Sequence, residues 1–475
     1  MRKLTAYFIP FFIGMILNVS AYAQVNYDNM VSTFHSSLAK DVDGNFRIWG
    51  EKTMPNGTGS FLTPTIINTT SFPSLTGTPL MATAGSYGKN FIQHILLTSD
   101  DKLWAWGDNN AVIGSGGTAF NSISLPSGVT ASKVAMLFAT YQTLVITTKD
   151  STVWVKTQNN DMRGDNGTGT GWAQVKKNSS TFLTGIVAVR GCPSALIALD
   201  KNGNLWTWGM KTWQAGGSSI SNSYATSMTQ PSGESGIEMI GATGSLGQAT
   251  YYVLYNNGHL WAVGDNNSRQ LGQFNTNYYS GWKQPLYSNV STDVMNDIEW
   301  ISPQEHDNTY YFINVIKSGT GELWNWGQES GSDLGRGQQA GYNNSSSLNP
   351  GAPTNFATGS NADIIKVESG GHTTMILRKC EKNFGYVGHR ILGSMGNGSD
   401  AEAPENSFNF TTAPMQIAGA ITTPTIRNDV SQTFCAGSTI SLVGQPAGGS
   451  FAVVAGGTGT ATINGNQITL QVPAP

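Results

Sequence analysis

The stretch Leu103-Trp104-Ala105-Trp106-Gly107 decides the fold, because the chain keeps returning to it. Close copies are Phe46-Arg47-Ile48-Trp49-Gly50, Leu205-Trp206-Thr207-Trp208-Gly209, Leu260-Trp261-Ala262-Val263-Gly264 and Leu323-Trp324-Asn325-Trp326-Gly327. Two weaker copies fill the gaps, Val153-Trp154-Val155-Lys156-Thr157 and Phe384-Gly385-Tyr386-Val387-Gly388. The seven end points follow one another at intervals of 50 to 63 residues, a period that marks propellers and solenoids.

The surroundings of each copy repeat as well. A turn of Asp, Asn and Gly precedes it, as in Asp43-Gly44-Asn45 and Asn256-Asn257-Gly258, of the kind that closes a tight hairpin. Before the turn lies an apolar strand such as Ala195–Asp200, and before that another such as the segment around Val134. After the motif comes a polar connection of variable length and a fourth segment centred on Pro64, Pro126, Val175, Pro231, Pro285, Pro353 and Ile417. Proline cannot donate to a ladder, so the fourth strand is expected at the outer edge. The unit is a four-stranded antiparallel meander. One such sheet buries too little by itself, and seven arranged radially cover one another's faces, so the fold expected is all-β, a seven-bladed β-propeller. Trp104 with Trp106, Trp206 with Trp208 and Trp324 with Trp326 each share a strand face and are expected to pack between blades rather than to stack on sugars.

The segments Leu260–Gln273, LWAVGDNNSRQLGQ, and Leu323–Gly337, LWNWGQESGSDLGRG, resemble the signature of the regulator of chromosome condensation family of repeats. Gly371-His372-Thr373-Thr374 resembles that family's Gly-x-x-His-Thr turn. The resemblance covers residues 24–420 and implies the same seven-bladed propeller. Nucleotide-exchange members of the family act on a small GTPase in the nucleus, which an exported chain cannot reach. Secreted bacterial propellers of the same repeat, the β-lactamase inhibitor proteins among them, imply instead recognition of a protein by loops on one face.

Export is read from the first residues. Arg2 and Lys3 precede an apolar stretch, Tyr7 to Leu17, and Ala21-Tyr22-Ala23 supplies the small residues of a cleavage site, so 1–23 is expected to be a signal peptide cut near Ala23. The apolar run is shorter than the roughly 20 residues of a spanning helix, and no membrane span is expected. Residues 421–475, rich in Thr, Gly and Val with an Asn464-Gly465 hairpin signal, resemble part of an immunoglobulin-like adhesin segment. Cys192, Cys380 and Cys435 are odd in number and far apart, and Cys192 and Cys380 are expected as free thiols on opposite sides of the ring.

Composition narrows the function. Among 475 residues there are 57 Gly, only 12% are charged, and the formal net charge is -3; this leaves no basic surface for nucleic acid. Six histidines limit acid-base chemistry. His35, His94, His259, His372 and His389 read singly as parts of strands and turns. Glu305-His306-Asp307 groups a base with carboxylates, but neighbours in a loop point different ways and no nucleophile stands beside them. Asp41–Asn45 and Asp165–Thr168 look like oxygen-ligand loops and read as turns, the first lacking the Glu that completes a calcium loop. No catalytic residue, metal or cofactor is therefore expected. What remains is recognition. Trp213, Tyr278, Tyr279 and Tyr342 fall in the variable connections, outside the repeat's core positions, and are the candidate anchors for a partner. The sequence thus points to a secreted or cell-surface, non-enzymatic, monomeric propeller that binds protein or glycan, with a secreted enzyme inhibitor as the alternative and a channel-sited hydrolase or lyase as a second one.

Overall fold

The computed structural model describes residues 29–415 and 417, except 110, 115–117, 214–219, 280, 331–332, 337–344 and 380, and three tail strands at 439–441, 460–464 and 467–471. Residues 1–23, expected as a signal peptide, lie outside the described residues. Within 29–417 the chain forms seven antiparallel sheets in series. Blade 1 comprises Met30–Ser32, Ser36–Lys40, Phe46–Gly50 and Phe61–Ile66, and blade 2 comprises Pro79–Ser86, Ile92–Thr98, Lys102–Gly107 and Asn121–Ser124. Blade 3 takes Val134–Thr140, Thr143–Thr148, Val153–Thr157 and Ala173–Gln174; blade 4 takes Ile186–Cys192, Ala195–Asp200, Leu205–Thr212 and Ile220–Met228. Blade 5 has Ile237–Thr243, Thr250–Tyr255 and Leu260–Gly264, its fourth strand reduced to a bridge between Ala262 and Lys283. Blade 6 has Ile298–Pro303, Phe312–Lys317, Glu322–Ser330 and Ser345–Gly351, and blade 7 has Ile364–Ser369, Thr373–Arg378, Gly385–Arg390 and Ala403–Asn409. First strands of neighbouring blades touch all the way round, blade 7 against blade 1 included. The ring is closed.

Seven apolar clusters fill the seven interfaces, and the repeat motif explains their composition. The first and third motif residues face the following blade, as Val153 and Val155 of blade 3 do, whereas the second and fourth, such as Trp206 and Trp208, face the preceding one. The fourth-position indoles are fully buried. Each donates its N–H across the interface to a main-chain carbonyl in the preceding blade's third-to-fourth connection: Trp106 to Thr53 O at 2.9 Å, Trp208 to Met162 O at 3.0 Å, Trp326 to Gln270 O at 2.8 Å and Trp49 to Ser394 O at 3.1 Å. A large apolar area and a satisfied polar handle thus belong to one side chain. Trp172 and Trp282 do similar work farther out, donating to Ser124 O and Thr229 O of the preceding blade. The closing Gly of the motif has a reason too. At Gly209 φ is +135°, and a Cβ there would lie 2.6 Å from Ser194 O. In blade 3 Thr157 holds that place and donates its hydroxyl to Gln142 O.

One expectation is corrected. Ile417 does not belong to the fourth strand of blade 7, which is Ala403–Asn409; it pairs with Asp41 of blade 1. Because Met30 pairs with Ala39 on that same side, Ile417 extends the first blade's inner edge where Met30–Ser32 leaves off. Ile417 and Met415 join Trp49, Phe384 and Tyr386 in the cluster that seals the seam. Pro64 lies in a fourth strand, while Pro126, Pro231 and Pro353 follow one. Cys192 is a buried free thiol, and burial pushes its pKa up to about 12. The tail strands form a separate antiparallel sheet in which Asn464 pairs with Gln467 across the expected hairpin. Among the described residues no helix is long and apolar enough to cross a membrane.

Replacing Trp208 by Phe keeps most of the buried area but leaves the Met162 carbonyl without its donor, and should cost about 1–3 kcal/mol. Trp208→Ala adds a cavity and should cost about 3–5 kcal/mol. Half-buried Trp154, bonded only to Thr152 of its own blade, should lose less on conversion to Phe. Chemical denaturation at matched m-values checks the order.

Candidate functional site

In an antiparallel meander, first-to-second and third-to-fourth connections leave from the same end of the strands. The links between blades therefore run on one face of the disc, and the third-to-fourth connections, with the long blade 6 connection, gather on the opposite one. This face also collects the exposed large apolar side chains Tyr87, Ile220, Leu246, Tyr278 and Leu392, against Val42, Phe182 and Val290 on the other. Tyr87, Phe91 and Tyr141 form an aromatic group at its blade 2–3 sector, with ring centroids 5.1 to 6.2 Å apart. Ion pairs brace the connections, Lys52 with Asp108 at 2.6 Å and Lys211 with Asp265 at 3.3 Å.

The four aromatic anchors read from the sequence fall at different depths here. Tyr278 is 55% exposed. Trp213 is only 3% exposed, because its indole joins the cluster between blades 4 and 5 beneath Tyr278, ring centroids 5.5 Å apart. Tyr279 is half-buried, its hydroxyl accepting from Asn275 and its ring under Lys283. Tyr342 lies outside the described residues.

The central channel is stopped by the connection of blade 6. Residues 304–311 are the longest first-to-second connection, and Gln304, Glu305, His306, Asp307 and Asn308 are all buried. The segment ties to several blades at once. Ser86 N of blade 2 donates to His306 O, Thr140 Oγ1 of blade 3 to Glu305 O, and Leu246 N of blade 5 to Asn308 Oδ1. Its three ionisable side chains point apart, as neighbours in a loop are expected to. His306 Nδ1 donates to Ala139 O, Glu305 accepts from Arg190 and from Ala242 N, and Asp307 accepts from Ser86, Thr309 and Gly88.

Below this plug, Arg190, Glu305 and Glu368 line a small recess with Ile240, Trp300 and Ser302. Arg190 Nε lies 2.7 Å from Glu305 Oε2, and its guanidinium stacks on Phe138. Glu368 Oε1 accepts from Ser32 N at 3.1 Å and stands 4.0 Å from His306 Nε2. Burial raises the Glu368 pKa to about 8, against the pull of Arg190, while burial and Arg190 lower His306 to about 3. Two carboxylates converge in the channel, one matched to an arginine and the other pushed by burial toward its protonated form. Their contacts are those of a buried electrostatic core.

The histidines that the sequence presents singly are brought together at the seam. His35 comes from the first-to-second connection of blade 1, His372 from the same connection of blade 7, and His389 from the third strand of blade 7. One nitrogen from each lies within 4.8 Å of the others, and all three rings are buried. Phe34 lies against His35 and His372, and Tyr310 against His372. Burial first, then the neighbouring imidazoles, holds His35 and His372 below their usual pKa; burial lowers His389 too, against the pull of Glu402. His94 is separate, bonded to Ser36. Nothing in the sequence signals the trio, since more than 330 residues separate His35 from the other two.

No family model matches the chain, and no curated protein matches it. Solved structures do. The chain is similar to yeast RCC1 (Prp20) in its complex with Kap60, with a TM-score of 0.57 and 15% identity over 86% of this chain and 90% of that one. It is also similar to Prp20p of Saccharomyces cerevisiae (TM-score 0.56, 15% identity, covering 83% of this chain and 89% of that one) and to human WBSCR16 (0.54, 14%, covering 75% and 92%). The fold is that of the regulator of chromosome condensation propellers, as the repeat signature implied.

Two measurements check the channel core. Arg190→Met leaves Glu305 buried without its partner and should destabilise by about 3–5 kcal/mol. Glu368, with its folded pKa raised above the usual value of 4.5, binds a proton more tightly folded than unfolded, so its contribution is present at low pH and is lost as pH rises from 4.5 to about 8. Subtracting the stability profile of Glu368→Gln from that of the parent should leave a decline in this window, of at most about 1.4 kcal/mol per pH unit.

Proposed function

We propose that this protein is an exported, non-enzymatic binding protein whose rigid disc recognises a protein partner at the cell surface through the face that carries the long connections. One observation carries the reading: of the large apolar side chains left exposed, most stand on that face. Exposed aromatic and aliphatic groups on a rigid scaffold are the usual anchors of protein interfaces. The channel supports the non-enzymatic part, because its carboxylates and histidine are engaged with Arg190, main-chain amides and carbonyls. The structural neighbours lend support by analogy of fold alone: yeast RCC1 has been solved bound to Kap60, and Prp20p is described with binding properties toward Gsp1p and histones. Export rests on the reading of residues 1–23, and mass measurement of the mature chain should place its start at Gln24.

The same concentration of apolar groups on one face also suits an inhibitor that caps a secreted enzyme. Location separates the two, since an adhesin stays with the cells and an inhibitor is recovered from the medium. A photo-crosslinking residue at Tyr278 should capture a protein on intact cells, and one at Val290, on the opposite face, should not. Leu246→Glu with Tyr278→Glu should weaken the captured complex by at least about 30-fold, since an anchor residue is worth about 2 kcal/mol or more. Val42→Glu with Phe182→Glu should leave it unchanged. Capture from both faces equally, or of glycan in place of protein, would reject the reading.

A further inference from the structure

We propose that His35, His372 and His389 form a three-nitrogen site for a zinc-type transition-metal ion, which clips the first blade of the ring to the last and keeps a fourth coordination position for water. The converging atoms are His35 Nε2, His389 Nδ1 and His372 Nδ1. The first two lie 3.0 Å apart and the last two 3.2 Å. Nitrogens held about 2.1 Å from a tetrahedral zinc stand roughly 3.4 Å from each other, so these two spacings need to open by only a few tenths of an ångström, while His35 and His372, whose ligand atoms lie within 4.8 Å, turn toward each other.

The opposite nitrogens carry the argument further. His35 Nδ1 lies 2.7 Å from Glu51 Oε2, His389 Nε2 lies 3.0 Å from Glu402 Oε1, and His372 Nε2 lies 3.3 Å from Ser330 Oγ. An ionised carboxylate only accepts, so it places the proton on His35 Nδ1 and on His389 Nε2. Lone pairs then remain on His35 Nε2 and His389 Nδ1, facing each other at 3.0 Å. That contact is repulsive unless a proton or a metal ion bridges the two nitrogens. A ring nitrogen that donates to a carboxylate while its other nitrogen faces a metal is the usual outer-shell arrangement of histidine ligands. Each ring here has an outward partner, and two of those partners are acids. Glu51 and Glu402 also offset Lys52 and Lys89, whose charges reach His35.

Donor chemistry selects the ion. Three imidazoles without a thiolate or a bound carboxylate suit zinc, copper or nickel rather than calcium or magnesium. Three protein ligands with one position open is the pattern of a non-closed zinc site. The location gives it a task, because blade 1 and blade 7 are far apart in the chain and are joined otherwise only by non-covalent contacts, among them apolar packing, the Asp41–Ile417 bridge, main-chain bonds such as Gly371 N to Thr33 O and the side-chain bonds of Trp49 and Glu368.

The test uses the untagged full chain, stripped with chelator and dialysed. Titration with Co²⁺ should produce the visible absorption of a four-coordinate ion, saturating at one equivalent and displaced by Zn²⁺. Zn²⁺ should raise the melting temperature by at least about 2 °C. His372→Ala should abolish the Co²⁺ band. Glu402→Ala, at an exposed side chain that folding can spare, should weaken metal affinity ten- to a hundredfold with an unchanged circular dichroism spectrum. A parent protein that gives no Co²⁺ band and retains no zinc would overturn the proposal. So would undiminished binding in a His35→Ala/His389→Ala double variant, or in Glu402→Ala. Should the histidine variants fail to fold, the parent's spectrum and Glu402→Ala decide between the outcomes.

Discussion

A four-stranded blade has two apolar faces and no means of covering either, and this constraint shapes everything else in the molecule. Each face is covered by the next blade, and the last must be covered by the first. The indoles of Trp49, Trp106, Trp208 and Trp326 make the cover specific as well as apolar, because each bonds to a carbonyl of the connection next door. A blade shifted along its neighbour would leave both the N–H and the carbonyl buried and unpaired, which is costly. Closure is thus built from the same contact used repeatedly, with Trp49 applying it at the seam where chain continuity is lost.

Closing the ring creates a second problem, a channel lined by seven inner strands. The chain answers it with one long connection from blade 6, whose main chain bonds to blades 2 and 3 and whose Glu305 pairs with Arg190 of blade 4. Buried charge of this kind is rarely a large net source of stability. Its value here lies in direction, since an arginine has one acceptable place for its fork and fixes where the plug sits. Glu368, pushed by burial toward its protonated form, fits beside the pair without adding a second uncompensated charge.

The repeat was legible because it is periodic. Seven copies of one five-residue motif state the number of blades, and the alternation within Leu103–Gly107 states which faces are covered. What a period does not encode is the exception. Ile417 arrives at the spacing of a fourth strand, yet the seam requires an inner strand there, and the seam prevails. Trp213 sits in a variable connection, the usual mark of a surface anchor, but it directly follows the strand Leu205–Thr212 and its indole fills the gap between blades 4 and 5. The histidine trio is the clearest case. His35 and His372 occupy equivalent turns of the first and last blades, so each looks like local structure until the ring closes and sets them side by side with His389.

The two faces of the disc therefore differ for a reason that starts in the chain's connectivity. Hairpins of three to six residues between second and third strands on one face have little freedom to vary. The third-to-fourth connections on the other are long, and their outer residues are spared from the core because the motif indoles already fill it. Apolar groups such as Tyr278 and Leu246 can remain exposed there without weakening the ring. Leu246 is held by Asn308 of the channel plug, and Tyr278 rests on buried Trp213. Each anchor is thus backed by a part of the molecule that closure has made rigid, so less conformational freedom is left to lose when a partner docks.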